Sequence, residues 1–192
     1  AELTEKRYGY NRPGLETLVP YAVQAHTRHF DDRSRKDYWD TVHEFARVFA
    51  RSVDGTRTTV PIRYLGLWDT VKAVGVLPWQ IHWPYTNRLP NVRRCRHAVS
   101  IDEKRRAFKH DPVASVAKDG SLEEVWFAGV HSDVGGTFDD DGPRLSTIAL
   151  KWVVEAAVQE GLLVKRSAYE AACTVETAHA LAAVHRMGRI WT

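Results

Sequence analysis

Glu123-Glu124-Val125-Trp126-Phe127-Ala128-Gly129-Val130-His131-Ser132-Asp133-Val134-Gly135-Gly136 decides how this chain is read. An apolar, β-rich run ends in a polar cluster and then two glycines, which is how an α/β enzyme presents a catalytic histidine beyond the end of a strand. Pro61-Ile62-Arg63-Tyr64-Leu65-Gly66-Leu67-Trp68-Asp69-Thr70 has the same form and ends on a carboxylate. The two segments predict buried strands over Thr58–Trp68, read as a central parallel strand, and Leu122–Gly129.

Working outward, the chain has 192 residues, of which 44% are hydrophobic and 27% charged, the composition of an ordinary globular protein. One domain covering 1–192 is expected at this length. A net charge of +3 is too small to require nucleic acid, and no nucleic-acid reader motif accompanies the basic clusters Arg93–His97 and Lys104–Lys109, so no nucleic-acid partner is expected. Cys95 and Cys173 lack any disulfide or metal-ligand spacing and read as buried thiols. There is no run of 18 apolar residues and no apolar signal-peptide core at Ala1–Lys6. The expected location is therefore the cytoplasm or a Sec-independent export route.

Helical spacing of Leu15, Leu18, Val19, Ala22, Val23 and Ala25 predicts a helix from about Leu15 to His29. Asp32 or Ser34 can cap a second helix running through Tyr38, Val42, Phe45, Ala46 and Phe49, which Asp54-Gly55 ends. Lys72 to Pro90 is a loop rich in Trp79, Trp83 and Tyr85, side chains suited to walling a pocket or meeting an acyl chain or membrane surface. Asn91 to Phe108 predicts a helix, because Val92, Cys95, Val99 and Ile101 fall near one face and the basic residues on the other. Further helices are predicted from Pro143 to Gly161 and from Ser167 to Val184. Two strands are too few for this many covering helices, so further strands are expected upstream, and Ala1–Arg7 reads as the end of a helix already begun.

Asp69 and His131 keep the chain order of the last two members of a Ser, Asp, His triad. His131 would take a proton from a hydroxyl, and Asp69 would fix its tautomer and stabilise the imidazolium. Asp133 is either an alternative acid or a supporting acceptor on the His131 turn. Asp139-Asp140-Asp141, with His131 and Asp133, leaves a calcium- or magnesium-dependent phosphoesterase open as another chemistry, although adjacent aspartates are more often a solvated cluster. No cofactor motif is present, and neither cofactor nor metal is assigned. The sequence contains no Gly-x-Ser-x-Gly elbow, and Ser100, Ser132 and Ser146 lack its flanking glycines.

In order along the chain, Leu18–Ala22, Tyr64–Val71, His97–Arg106, Val125–Gly136 and Leu145–Trp152 resemble a bacterial and fungal family of α/β-hydrolase domains that includes the type VI secretion phospholipase effectors. The resemblance runs from about Arg7 to Glu160. It implies the carboxyl-terminal part of an α/β-hydrolase-like, mainly parallel sheet with covering helices, the amino-terminal strands and nucleophile elbow lying outside this sequence. It also implies a serine ester hydrolase acting on lipid or another ester, with a membrane surface, a secretion machine or an immunity protein as partner. The family's elbow resembles Gly-Phe-Ser-Arg-Gly and leads into a helix ending near the equivalent of Tyr8-Gly9-Tyr10. A relative that binds lipid or a partner without turnover is the alternative.

Overall fold

The computed structural model describes residues 19–21, 23, 35–49, 59–71, 73–74, 81–82, 87–105, 108, 110–139 and 141–186. The chain divides into two compact units, Ala1–Val60 and Pro61–Thr192. In the first, helical backbone at residues 19–21 and 23 falls within the helix expected from Leu15, and helix α1 (Arg35–Phe49) falls within the second expected helix. The Phe45 and Phe49 rings pack 4.8 Å apart one turn on, and Arg47 meets Glu44 at 2.7 Å. The capping residues Asp32 and Ser34 and the stop at Asp54-Gly55 lie outside the described residues.

The second unit is built on strands β1 (Ile62–Trp68), β4 (Val92–Ser100) and β5 (Ser121–Phe127), paired in parallel in the order β1-β4-β5. Between β1 and β4, β2 (Ala73–Val74) and β3 (Ile81–His82) form a short antiparallel pair. Trp79, Trp83 and Tyr85 lie outside the described residues. After β5 come α2 (His131–Gly135), α3 (Ser146–Gln159), α4 (Arg166–Cys173) and α5 (Thr177–Ala180). A parallel sheet with flanking helices is an α/β fold, as expected. None of the described helices is long and apolar enough to cross a membrane.

Three expectations are corrected. Val92 to Ser100 is strand, not helix, and it is the middle strand of the described sheet, with β1 on one side and β5 on the other. The 3- and 4-residue spacing of Val92, Cys95 and Val99 imitates a helix because a strand covered on both faces carries apolar residues at either parity. Arg94 and Arg96 share the face that α3 covers and are paired there: Arg94 reaches Glu123 and Glu160, while Arg96 binds Glu123 and the Trp152 carbonyl and lies over the Trp152 ring. The buried β5 expected from its composition is instead half open, with Trp126 54% exposed, because it forms the other edge of the described sheet. The last helix is interrupted at residues 174–176, where Thr174 and Glu176 adopt extended backbone between α4 and α5.

Two clusters fill the faces of the sheet. Ala98, Val134, Ala149 and Val153 pack with Tyr64, Trp68, Phe127 and Trp152 on the α3 side, while Val92, Cys95 and Val113 pack with Leu65, Leu67 and Val116. Gly66 marks the closest approach of α3: a Cβ there would stand 2.5 Å from Val153 Cγ1. Tyr64 Oη crosses the same gap to donate to the Val153 carbonyl at 2.7 Å. This contact fixes the height of α3 over β1, and burial pushes the phenol up to about 12.

Candidate active site

All three parallel strands end at one edge, and the segments leaving them are tied together there. Asp69 follows β1 in the left-handed region, φ +40°, a conformation that Asp tolerates better than most residues but that still costs about 1–3 kcal/mol. Its N–H donates to the Ala98 carbonyl of β4 at 2.7 Å. The turn buries the carboxylate, leaving Asp69 2% exposed. Three donors converge on it: Ser100 N–H to Oδ1 at 2.8 Å, Ser100 Oγ–H to Oδ2 at 2.7 Å, and His131 Nδ1–H to Oδ2 at 2.8 Å. Burial works to raise the carboxyl's pKa, but the hydrogen bonds from His131 and Ser100 outweigh it and hold the group below the ordinary aspartate value.

His131 enters at the start of α2. A carboxylate only accepts, so the proton of a neutral His131 sits on Nδ1 and the Nε2 lone pair is left for chemistry. The His131 side chain is 28% exposed, and the Phe108 ring packs 4.9 Å from the imidazole, centre to centre. The His131 N–H donates to Glu103 Oε2 at 3.2 Å. Glu103 is itself held by the Arg105 guanidinium through two bonds of 2.9 and 2.7 Å. Burial acts to raise its carboxyl, yet Arg105 keeps it below the usual carboxylate range. Asp102 and Gly129 exchange hydrogen bonds, binding the segment after β4 to the one after β5.

Asp133 turns elsewhere. Its Oδ2 accepts the Val130 N–H at 3.0 Å and the His185 N–H at 3.1 Å, and its Oδ1 lies 2.6 Å from His185 Nδ1. The bond to Val130 closes the first turn of α2 as a helix cap does. Gly129 is required beside it: its φ is +109°, and a Cβ would fall 2.3 Å from that of Asp133. The carboxylate that meets His131 is therefore that of Asp69, while Asp133 shapes the turn on which His131 stands. Asp139 is fully exposed, 3.6 Å from Arg144, and Asp140 lies outside the described residues. Among the described residues, the ligand-type side chains close enough together to share an ion are His97, His110 and Glu124, none of them in the set His131, Asp133 and Asp139–Asp141.

A cavity of about 520 Å³ opens beside Asp69, its wall including Ser100, Glu103, Lys104, Arg105, Phe108, His110 and Trp126. A smaller one of about 210 Å³ lies against Asp133 and His185, with Phe138 stacked on the His185 ring at 3.8 Å. Sequence reasoning missed the part of Ser100 and Glu103 because the first ends β4, which it took for a helix, and the second follows it. The signal was present: Val99-Ser100-Ile101-Asp102-Glu103 ends in polar residues just as the other two strands do. His185 carried no signal, being 52 positions from its partner.

The model of the T6SS, Phospholipase effector Tle1-like, catalytic domain family matches residues 6–156. An uncharacterised protein of Saccharomyces cerevisiae is 35% identical over 107 residues, covering 54% of this chain and 15% of the yeast protein. The crystal structure of an uncharacterised protein from Pseudomonas aeruginosa superimposes with a TM-score of 0.50 at 25% identity, over 73% of this chain and 25% of that one. The chain thus spans a quarter or less of the length of either relative. With most of its length matched, and with yeast and bacterial relatives as the resemblance implied, this chain belongs to the Tle1-like phospholipase effector catalytic domain family.

Proposed function

We propose that this chain supplies the acid, Asp69, and the general base, His131, of a serine ester hydrolase that cleaves lipid esters. The observation that carries the reading is the 2.8 Å contact between His131 Nδ1 and a buried Asp69 carboxylate held in its ionised form. In this reading His131 Nε2 takes the proton of a serine hydroxyl as its oxygen attacks the ester carbonyl, and Asp69 stabilises the imidazolium that results. His131 then returns the proton to the departing alcohol, leaving an acyl-serine. A water molecule, deprotonated in turn by His131, releases the fatty acid. The serine and the donors for the oxyanion come from outside this sequence, which has no glycine-flanked serine elbow.

The cavity beside Asp69 supports an ester with an apolar part, because Phe108 and Trp126 share its wall. The family supports phospholipid as the substrate. The test is release of fatty acid from phosphatidylglycerol–phosphatidylethanolamine vesicles by the intact protein and by its His131→Ala variant. Removing a triad base typically costs about 10³- to 10⁶-fold in kcat. Loss on that scale in a folded variant is expected. Hydrolysis that survives His131→Ala would assign the chemistry elsewhere, and a wild-type protein that binds the vesicles without turnover would make the site a binding remnant.

A further inference from the structure

Next to Asp69 lies a set of titratable side chains that the proposed chemistry does not use. His97 on β4 and Glu124 on β5 are register partners, so their side chains share a face of the sheet. The His97 ring is fully buried, with Nδ1 3.0 Å from Glu124 Oε2, while Glu124 Oε1 lies 3.2 Å from His110 Nε2. Among the described residues, these are the three ligand-type side chains near enough to one another to hold a metal ion.

The second nitrogen of His97 argues for a different role. Its Nε2 accepts the Thr70 N–H at 3.0 Å. A neutral histidine bound to a metal through one nitrogen carries a proton on the other and donates from it. With Nε2 already accepting, a metal at Nδ1 would require the imidazolate. The ring is instead neutral with its proton on Nδ1, directed at Glu124, a carboxylate that can only accept. Burial favours that neutral form by lowering the His97 pKa, against the opposing pull of Glu124.

Thr70 N–H belongs to the peptide that joins Asp69 to Thr70. Its bond to His97 therefore fixes the peptide plane on the carboxyl side of Asp69, and the Asp69 N–H bond to Ala98 O fixes the plane on the amino side. Two neighbouring residues of β4 thus clamp both flanks of a residue held at φ +40°. We propose that His97, its tautomer set by Glu124, is a positioning residue: its Nε2 lone pair holds the Asp69–Thr70 peptide and so aims the Asp69 carboxylate at His131. The proposal rests on the reading of Asp69 and His131 as triad members. His97 does not line the cavity beside Asp69, and its action runs through the backbone.

The experiment compares His97→Leu and His97→Gln in the intact protein, with p-nitrophenyl butyrate as substrate and thermal unfolding recorded alongside. Leucine fills the site but offers no acceptor, whereas the glutamine amide oxygen can reach the place of Nε2 and accept the Thr70 N–H. His97→Leu is expected to lower kcat about 10- to 100-fold with KM within about twofold, the pattern of misplaced catalytic groups. His97→Gln is expected to restore kcat to within about fivefold of wild type even where its thermal midpoint is no higher than that of the leucine variant. Equal losses in both variants, or losses that follow the thermal midpoints, would overturn the proposal. Asp69→Asn separates the two levels of the argument. If it abolishes turnover while His97→Leu leaves kcat intact, positioning by His97 fails and the triad reading stands; if Asp69→Asn leaves turnover intact, the reading beneath fails.

Discussion

Asp69→Asn removes one negative charge and turns one carboxylate oxygen into an NH2 group at nearly constant volume. Three donors point at the present carboxylate: Ser100 N–H, Ser100 Oγ–H and His131 Nδ1–H. If the amide oxygen keeps the 2.8 Å bond from Ser100 N–H, the NH2 group takes the place of Oδ2 and faces His131 Nδ1. The imidazole then satisfies that donor by moving its proton to Nε2, the atom that must accept from the serine. A wrong tautomer of this kind lowers kcat by about 10⁴-fold in a serine hydrolase triad. At 1.4 kcal/mol per decade this is about 5–6 kcal/mol of transition-state stabilisation. The substitution also costs stability, since hydrogen bonds to a charged group contribute about 1.5–3 kcal/mol each. The intact protein and its variant would be compared with p-nitrophenyl butyrate, reading kcat and KM separately, with circular dichroism to establish folding. A folded Asp69→Asn protein whose kcat stays within about tenfold of wild type would refute the tautomer argument.

Gly129→Ala places a methyl group against Asp133 at a positive φ and should destabilise by about 2–4 kcal/mol, seen as a lower urea midpoint; an unchanged midpoint would contradict the packing described at that turn. Tyr64→Phe should cost about 1 kcal/mol, a fall of about 2–4 °C in thermal midpoint, by removing the bond to the Val153 carbonyl, and no fall would mean that bond contributes nothing net. Cys95, buried and pushed up to about 11, should resist alkylation by iodoacetamide at pH 8 until the protein is unfolded, and rapid native labelling would show that the strand opens. Acid should destabilise in a defined order. His97, buried against Glu124 and His110 and near Asp69, has a folded pKa below its ordinary 6.5, so the unfolded chain binds that proton first and stability falls as the pH drops below about 6.5. Asp69 adds a second loss below its ordinary 3.8, for the same sign of reason, and stability that rose between pH 7 and 5 in urea titrations would contradict the His97 contribution.

The parts of this architecture that were legible in the sequence are those in which one strand carries its own evidence. Tyr64–Trp68 and Val125–Phe127 are apolar runs that end in chemistry, and each could be read alone as strand followed by functional turn. β4 could not be read that way, because Arg94 and Arg96 look like a solvated helix face until Glu123, Glu160 and Trp152 are brought to them by folding. The same limit hid the surroundings of the candidate site. Nothing local in Ser100 shows that it donates twice to Asp69, and nothing in Glu103 shows that Arg105 will hold it against the His131 backbone. Asp133 is the converse case: next to His131 in sequence, it is directed by the geometry of a short helix toward His185. Proximity along the chain was a weaker guide than the shared end of three parallel strands.

Labelling of the intact protein with a fluorophosphonate tests the acid–base assignment most directly, because the reagent captures a serine only where a base removes its proton. The account predicts covalent modification of a single serine in the wild type, slowed by about 10³-fold or more in His131→Ala and in Asp69→Asn. Modification of that serine at the wild-type rate in either folded variant would contradict it.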